Sequence, residues 1–329
     1  MNKPKIGVVI EVPLREKLFS PEDVARLNRL GNVVWTDKTT KLDEDDLCRL
    51  LKDCDIAVAS WNEIGPTERV CRECPRLRLW EYAAGSVKHL FGPHLRGRNL
   101  TIASCAPANA ENVAEHTLGL LIVGLKRVFE NAADNRLGRV GKPRNVRVLA
   151  SSTIGLVGAS QIGRRVIRML KPFGPAVLVY DPYLSQGEAA ELGVRKVDDL
   201  LTLCAESHAV SVHAPNLPAT YHMFSTAQFQ AMRDDAVFIN TARGAMVDEA
   251  ALVAELEKGR LFAYLDVTDP EPAPDDSPLR RLPNVVLTSH IAGIADRKFG
   301  RQAVDDVERF LRGESPLMVV TAEMLDRLA

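Results

Sequence analysis

Short apolar segments alternate with helical patterns along this sequence, and they do so in two successive runs. The first run opens with an apolar segment at 5–11, followed by a helical pattern at 21–30 that stops at Gly31. The second run opens at 153–157. Because β-segments that alternate with helices form parallel sheets covered on both faces, we expect two α/β domains.

The remaining elements are predicted from apolar periodicity and from capping residues. Further strands are predicted at 32–36, 56–60, 77–82, 101–104, 176–180, 210–212, 236–239, 261–265 and 285–288. Further helices are predicted at 44–51, 109–133, 161–173, 187–192, 249–258 and 296–311. The pattern at 109–133 predicts one unbroken helix of more than average length.

The composition narrows the classes of protein to be considered. Of 329 residues, 46% are hydrophobic and 26% are charged, which is typical of a globular chain and excludes a disordered one. Lys and Arg number 42 against 43 Asp and Glu, so the basic excess of a nucleic-acid-binding protein is missing. The sequence has no signal-peptide pattern and no apolar stretch near the roughly 20 residues that span a bilayer. We therefore expect a cytoplasmic protein with neither nucleic acid nor membrane as partner.

Six cysteines in a chain of this length do not indicate a disulfide framework. Cys71 and Cys74 form a C-x-x-C motif, which could be half of a zinc site or a redox pair. A structural zinc site requires four ligands, and no second ligand pair follows. Two buried thiols are the favoured interpretation, and we expect no metal.

The strongest local motif is T-I-G-L-V-G-A-S-Q-I-G, in which a predicted strand runs directly into a helical pattern. It matches the dinucleotide-binding fingerprint G-x-G-x-x-G, with Ser160 in place of the second glycine. Gly158 would permit the tight turn, and Gly163 the close packing of helix on strand. The backbone N–H groups of Gln161 and Ile162 would face a pyrophosphate at the positive end of the helix dipole.

Asp181 ends the next predicted strand, in the sequence V-L-V-Y-D. A carboxylate at this position of the fingerprint accepts hydrogen bonds from the adenosine ribose hydroxyls. It would repel the 2′-phosphate of NADP, so the sequence predicts NAD as the cofactor. The alternative for the whole motif is a packing turn that binds no ligand.

Three later segments complete a recognisable pattern. They are 211–225 with V-H-A-P, 238–252 with N-T-A-R-G, and 263–293 with D-V-x-x-x-E-P followed by H-I-A-G. In their order and spacing they resemble the D-2-hydroxyacid dehydrogenase family, the D-isomer-specific NAD-dependent dehydrogenases. The N-terminal half matches this family more loosely, through the 77–86 segment and the helix start at 109–116.

The resemblance implies two Rossmann-like or flavodoxin-like parallel-sheet domains with the active site in the cleft between them. Residues 104–294 would form the NAD-binding domain. Residues 1–103 and 295–329 would form a discontinuous substrate domain. A homodimer is also expected.

The resemblance implies three catalytic residues. Arg243 would clamp the substrate carboxylate and the adjacent carbonyl oxygen with its forked donors. His290 would exchange a proton with the carbonyl oxygen as hydride arrives at carbon. Glu271 would accept a hydrogen bond from the other nitrogen of His290 and so fix its tautomer.

The resemblance also implies the rest of the site. Asp266 would hold the nicotinamide carboxamide or the back of the ring, and Thr241 would contact the nicotinamide end. The turn Ala84-Gly85-Ser86 would offer N–H groups to the substrate carboxylate. The full cofactor-binding set is predicted as Gly158, Ser160, Gln161, Ile162, Gly163, Asp181, His213, Ala214, Pro215, Thr220, Thr241, Ala242, Asp266, His290 and Gly293.

Two departures from the family pattern stand out. The substrate-side turn reads Ala-Ala-Gly-Ser where relatives usually carry a glycine-valine-glycine form, which leaves the substrate open. Ser289 replaces a common proline before the histidine. The predicted function is hydride transfer between NAD(H) and a 2-hydroxy acid/2-oxo acid pair. The alternatives are an NAD-binding regulatory or corepressor-like protein on the same fold and, less favoured, a formate-dehydrogenase-like enzyme.

Overall fold

The computed structural model describes residues 3–139, 141 and 145–327. The chain divides into two compact units, which we treat separately. Unit 1 comprises Met1–Ala110 and Ile294–Ala329, and unit 2 comprises Glu111–Gly293. Each unit is built on one mostly or wholly parallel sheet. The predicted fold class, two parallel-sheet α/β domains, is therefore confirmed.

The elements are numbered in chain order. The strands are β1 (Lys5–Val8), β2 (Asn32–Trp35), β3 (Ile56–Ala59), β4 (Leu79–Tyr82), β5 (Thr101–Ser104), β6 (Thr153–Val157), β7 (Ala176–Tyr180), β8 (Arg195–Val197), β9 (Ala209–Val212), β10 (Val237–Asn240), β11 (Phe262–Leu265), β12 (Val285–Leu287) and β13 (Val319–Val320). The helices are α1 (Val12–Leu18), α2 (Pro21–Leu30), α3 (Glu44–Leu51), α4 (Glu68–Glu73), α5 (Ala106–Leu125), α6 (Val128–Arg136), α7 (Gln161–Leu170), α8 (Gln186–Leu192), α9 (Leu200–Glu206), α10 (Thr226–Ala231), α11 (Glu249–Glu257) and α12 (Arg297–Leu311).

The sheet of unit 1 has the order β13-β5-β4-β3-β1-β2. All its neighbours are parallel except β13, which pairs with β5 in the antiparallel sense. The central strands β3 and β4 are buried at every residue, as parallel strands covered by helices on both faces must be. Local capping sets the helix starts: Ser20 and Asp23 form a capping box at α2, and Asp43 and Asp46 form another at α3.

The sheet of unit 2 is wholly parallel, in the order β12-β11-β10-β9-β6-β7-β8. The strand order reverses between β6 and β9, which are neighbours although two strands lie between them in the sequence. A ligand of an open parallel sheet binds at such a switch point, outside the carboxyl ends of the strands. The residues that follow the strands at this edge are Gly158, Asp181, His213, Thr241, Asp266 and Thr288.

The prediction of one unbroken helix at 109–133 is wrong. Helix α5 ends at Leu125, and α6 begins at Val128 after Arg127, whose φ of +54° is left-handed. The side chain of Arg127 is buried, lies 3.4 Å above the centre of the Phe262 ring, and donates a hydrogen bond to the carbonyl oxygen of Asp235. These contacts come from distant parts of unit 2, so helical periodicity alone cannot reveal the break.

The remaining differences concern short elements. The first strand ends at Val8, because α1 begins at Val12, with Pro13 in its first turn. The pattern at 161–173 is an α-helix only to Leu170, and a short 3-10 turn completes it. Elements of two to seven residues were not predicted, namely α1, α4, α9, α10, β8 and β13. Segments of this length carry too few apolar positions to establish a period.

Candidate cofactor and active site

The glycine loop connects β6 to α7 and leaves no room for side chains at its two glycines. Gly158 has a φ of +100°, and a Cβ atom there would lie 2.9 Å from the backbone nitrogen of Ala214. A Cβ on Gly163 would lie 2.1 Å from the carbonyl oxygen of Gly158. Both positions therefore require glycine, the first for its backbone conformation and the second for close packing of α7 on the loop.

Ser160, the departure from the fingerprint, is the N-cap of α7. Its Oγ accepts a hydrogen bond from the backbone N–H of Gly163 at 3.4 Å. Gln161 and Ile162 are the first two residues of the helix. Their backbone N–H groups precede the first intrahelical hydrogen bond and lie at the positive end of the helix dipole. This cradle of small residues before a helix N-terminus fits a pyrophosphate.

Asp181 connects the end of β7 to the glycine loop. Its carboxylate accepts a hydrogen bond from the backbone N–H of Ala159 at 2.7 Å, and a second from that of Tyr183 at 2.8 Å. Each oxygen accepts one of these bonds, so each keeps capacity for a second. The carboxylate thus both fixes the loop and retains acceptors for hydroxyl groups.

His213, at the end of β9, is buried and neutral. Burial lowers its pKa to about 3, and its Nε2 lies 3.0 Å from the Oγ of Ser211. Its Nδ1 is buried without a hydrogen-bond partner among the described residues. Ala214 and Pro215 follow it, and the Thr220 hydroxyl donates to the carbonyl oxygen of Pro215 at 2.6 Å. Thr220 therefore shapes the loop after β9.

Arg243 follows β10 in a turn that a buried asparagine holds. Asn240 accepts from the backbone N–H of Ala242 at 3.0 Å and donates to the carbonyl oxygen of Arg243 at 2.8 Å. Burial lowers the pKa of the Arg243 guanidinium, and the charge of Glu271 opposes this shift. A Cβ on Gly244 would lie 2.0 Å from the backbone of Thr268, so the turn packs directly on the segment that leads to Glu271.

Thr241 is buried beside a residue that the sequence did not single out. Its Oγ1 lies 3.1 Å from that of Thr117, which donates to the carbonyl oxygen of Val113 at 2.8 Å. Thr117 has one hydroxyl hydrogen, so Thr241 is the donor in the pair. Thr117 lies on α5, more than a hundred residues away in sequence, and it carries no motif that could have revealed it.

His290 and Glu271 form a hydrogen-bonded pair. The Nδ1 of His290 lies 2.7 Å from the Oε1 of Glu271, and their side chains are 44% and 39% exposed. A carboxylate only accepts, so Nδ1 carries the hydrogen and Nε2 is left to act on another group. The backbone of His290 has a φ of +53°, a conformation that a non-glycine residue adopts only where its surroundings enforce it.

Asp266 supplies that enforcement. Its buried carboxylate accepts from the Thr288 hydroxyl at 2.5 Å and from the backbone N–H groups of Ile291 and Ala292 at 2.9 and 2.8 Å. Its carbonyl oxygen accepts from the N–H of His290 at 2.8 Å. Asp266 thus fixes the loop that contains His290 through both its side chain and its backbone carbonyl. The sequence did not predict this role. Its contact with the nicotinamide stays a prediction.

The predicted substrate turn, Ala84 to Ser86, follows β4 in unit 1. The Ser104 hydroxyl lies 3.1 Å from the carbonyl oxygen of Ala84 and 2.6 Å from that of Gly85. A Cβ on Gly85 would lie 2.8 Å from the Asn109 amide nitrogen, so the turn is closely packed. Gly293, the last residue of unit 2, is partly buried.

Comparison with known proteins agrees with the motifs. Residues 118–292 match a family model described as the D-isomer specific 2-hydroxyacid dehydrogenase NAD binding domain. Glyoxylate reductase of Korarchaeum cryptofilum is 31% identical over 332 aligned positions, which cover 98% of this chain and 97% of that protein. This chain belongs to the D-isomer specific 2-hydroxyacid dehydrogenase family.

Two further comparisons describe the extent of the likeness. D-3-phosphoglycerate dehydrogenase of Methanocaldococcus jannaschii is 29% identical over 94% of this chain, but the chain spans only 58% of that protein's length. D-mandelate dehydrogenase of Rhodotorula graminis shares the fold, with a TM-score of 0.82 at 22% identity over 97% of this chain and 98% of that one. The family model and the named relatives confirm the expected family, NAD cofactor and oxidoreductase class.

The arrangement of metal-ligating side chains and the character of the helices bear on two further expectations. Among the described residues, no group of three or more His, Cys, Asp or Glu side chains is arranged to hold a metal ion. Over the same residues, no helix combines the length and the apolar character needed to cross a bilayer. Cys71 and Cys74 are free and buried, as expected for packed thiols.

The dehydrogenase's glycine loop gives a stability prediction. Gly163→Ala places a methyl group 2.1 Å from the Gly158 carbonyl oxygen, so α7 and the glycine loop must move apart. We expect unfolding to become easier by about 1–3 kcal/mol and NADH to bind more weakly. Gly187→Ala is the matched control, because the space around this glycine of α8 is open and alanine favours a helix. Thermal unfolding and NADH titration compare the two, and equal melting temperatures would contradict the packing argument.

Proposed function

We propose that this dehydrogenase catalyses reversible hydride transfer between NAD(H) and a 2-hydroxy acid/2-oxo acid pair, with His290 as the acid–base residue. The observation that carries the proposal is the 2.7 Å contact between His290 Nδ1 and Glu271 Oε1. The contact orients the imidazole and leaves Nε2 for the substrate oxygen. The charge of Glu271 also acts on the guanidinium of Arg243, which supports the assignment of these two residues to one site.

When the 2-oxo acid is reduced, the proton to be transferred is on Nε2 of His290. Protonated imidazole donates this proton to the carbonyl oxygen of the 2-oxo acid, and neutral imidazole takes it back from the hydroxyl in the reverse direction. In both states Nδ1 keeps its hydrogen bond to Glu271. The ring therefore keeps one orientation through both directions of proton transfer.

Arg243 binds and orients the substrate carboxylate. A guanidinium presents parallel N–H donors that match the two oxygens of a carboxylate, or one carboxylate oxygen and the adjacent carbonyl oxygen. Its partial burial reduces competition from water, which strengthens these charge-assisted bonds. One donor is committed to the carbonyl oxygen of Ala242 at 2.6 Å, which fixes the direction of the fork.

NADH supplies the hydride when it is bound. The glycine loop and the start of α7 would hold its pyrophosphate, and Asp181 its adenosine ribose. Thr241 would orient the nicotinamide end, since its Oγ1 donates to Thr117 and retains acceptor capacity. His213 would line the adenosine side as a neutral group. The predicted homodimer and cytoplasmic location stay predictions.

A turnover assay tests the proposed function directly. Relatives of this chain are named D-3-phosphoglycerate dehydrogenase, glyoxylate reductase and glycerate dehydrogenase, and proteins of similar fold are named D-lactate dehydrogenase and D-mandelate dehydrogenase. The corresponding acids form the test panel. We expect NAD(H)-dependent turnover of at least one acid of this panel. An NAD-binding regulatory protein, which the comparisons do not favour, would bind NADH without turning over any of these acids, and that outcome would overturn the proposal.

Asp181 provides a prediction about cofactor choice. We expect a higher kcat/KM with NADH than with NADPH, because the carboxylate repels a 2′-phosphate. Asp181→Asn should narrow this gap by about tenfold, since it removes the charge but keeps one oxygen for the N–H of Ala159. Asp181→Ala also removes the hydrogen bond from the N–H of Ala159, so it should weaken the binding of both cofactors. Equal kcat/KM for the two cofactors in the unmutated enzyme would contradict the assignment.

Glu271→Gln and Glu271→Ala give a prediction about the orientation of His290. Glutamine keeps an oxygen that can accept a hydrogen bond from Nδ1, whereas alanine removes the acceptor and frees the ring to turn. We expect Glu271→Ala to lower kcat about tenfold more than Glu271→Gln does, because a misoriented Nε2 transfers the proton less well. Steady-state kinetics in both directions check this, with NADH titration as the control for cofactor binding. Equal kcat in the two variants would exclude the His290–Glu271 pairing.

A further inference from the structure

Unit 1 contains a cavity at the edge of its sheet opposite the substrate turn. The turn follows the carboxyl end of β4, whereas the cavity lies at the amino ends of β4 and β5. Its volume is about 410 Å³, at the small end of the range for ligand sites. Three arginines line it, namely Arg76, Arg78 and Arg98. None of the residues discussed above for cofactor or substrate takes part.

Each guanidinium is positioned by a different contact. Arg98 donates from Nε to the carbonyl oxygen of His94 at 3.1 Å and from Nη1 to that of Cys71 at 2.8 Å. Arg78 lies 5.8 Å from the centre of the Phe310 ring. Arg76 donates to both carboxylate oxygens of Asp55, at 3.0 and 3.1 Å. All three arginines are exposed residues, so an anion from solvent can reach their guanidinium groups.

The charges of this cavity are not balanced. Asp55 is the acidic residue in its lining, and it is already engaged by Arg76 and by the backbone N–H of Lys5 at 2.9 Å. Within the described part of the chain, neither Arg78 nor Arg98 lies within 4.0 Å of a carboxylate. The charge of Arg78 also acts on Asp55, so this one carboxylate faces more than one arginine. The lining thus has three arginines against one carboxylate, beside an apolar wall formed by Leu77 and Leu100.

We propose that this cavity binds a small organic dianion, a dicarboxylate or a phosphate monoester. Arg78 and Arg98 would each contribute charge-assisted hydrogen bonds to one anionic group, as guanidinium groups do with carboxylates and phosphates. The apolar wall would contact the carbon skeleton between the charges. None of the proposed catalytic, cofactor or substrate residues lines the cavity, so the proposal does not depend on the proposed function.

Calorimetric titration of the full chain with succinate and with glycerol 3-phosphate tests the site at low ionic strength. Succinamide and glycerol serve as neutral analogues. We expect one equivalent of at least one dianion to bind saturably, and neither neutral analogue to bind. The dianion that binds more tightly shows whether the cavity prefers a carboxylate or a phosphate. The double substitution Arg78→Gln/Arg98→Gln should weaken binding about tenfold or more, as removal of charged hydrogen-bond donors does. Arg78→Gln alone, which leaves the loop contacts of Arg98 intact, should weaken it by a smaller factor.

Two control variants separate this site from other cationic groups. Arg72→Gln/Arg96→Gln removes the same charge from exposed arginines that do not line the cavity. Arg243→Gln removes the proposed substrate anchor. Binding that persists in both controls and weakens in the cavity variants supports the proposal. Equal weakening in the first control means general surface attraction, loss only with Arg243→Gln means binding at the active site, and no saturable binding means no site; each of these outcomes overturns it.

Discussion

Replacing His290 with alanine should lower kcat for the reduction of a 2-oxo acid by roughly 10²–10⁴-fold, the range for loss of a general acid. The effect should be large because the imidazole is oriented by Glu271 at 2.7 Å and has one nitrogen free for the substrate. Binding of NADH, measured by fluorescence titration, should change little, since the proposed phosphate and ribose contacts lie at the glycine loop and Asp181. The loss should appear in kcat and kcat/KM together, because the proton is transferred only in the transition state.

A backbone control is needed, because His290 has a left-handed conformation. His222 has a similar φ of +48°, and it is outside the proposed machinery, so His222→Ala makes the same substitution in the same kind of backbone. We expect that variant to retain activity within about twofold, because His222 has no proposed contact with cofactor or substrate. Less than a tenfold loss in His290→Ala, or an equal loss in both variants, would rule out His290 as the acid–base residue.

The cofactor loop could be predicted from sequence because its determinants are local. The strand at 153–157, the two glycines and the helix start at Gln161 follow one another directly, and the structure gives the strand and helix start at these residues. Each glycine also has a steric reason that acts within a few residues or at the adjacent strand end. Local propensity, turn chemistry and packing agree here, and this consistency makes a sequence interpretable.

The contacts that hold the proposed catalytic groups could not be predicted, because they join segments that are distant in the chain. The carboxylate of Asp266 accepts hydrogen bonds from residues 288, 291 and 292. Thr117 is hydrogen-bonded to Thr241, which lies more than a hundred residues away in the sequence. The family resemblance marked Asp266 as a site residue without indicating that it braces the histidine loop. The same reason explains Arg127, where a long-range contact ends a helix that the periodicity continues. Sequence motifs thus indicate the groups proposed to act, and tertiary contacts determine how these groups are held.

Arg243→Lys should lower kcat/KM for the acid by roughly 10–100-fold, although the positive charge is kept. An ammonium group is a point charge on a flexible chain, and it cannot give the parallel donors that a guanidinium gives to a carboxylate. The variant also loses the 2.6 Å contact with the Ala242 carbonyl oxygen that directs the side chain. The substitution should raise KM and lower kcat, because the substrate binds more weakly and its carbonyl carbon is less well placed.

The measurement is steady-state kinetics with the best acid of the panel, together with NADH titration of the same preparations. NADH affinity should stay within about twofold, since the anchor holds the acid and not the cofactor. Arg281→Lys, at an exposed position of the same unit, is the matched control and should behave as the unmutated enzyme. If the defect were electrostatic alone, lysine would restore most of what Arg243→Gln loses. Because the planar guanidinium donates two parallel hydrogen bonds, we expect lysine to restore only a small part of the kcat/KM that Arg243→Gln loses. A near-normal kcat/KM in Arg243→Lys would show that another group anchors the carboxylate.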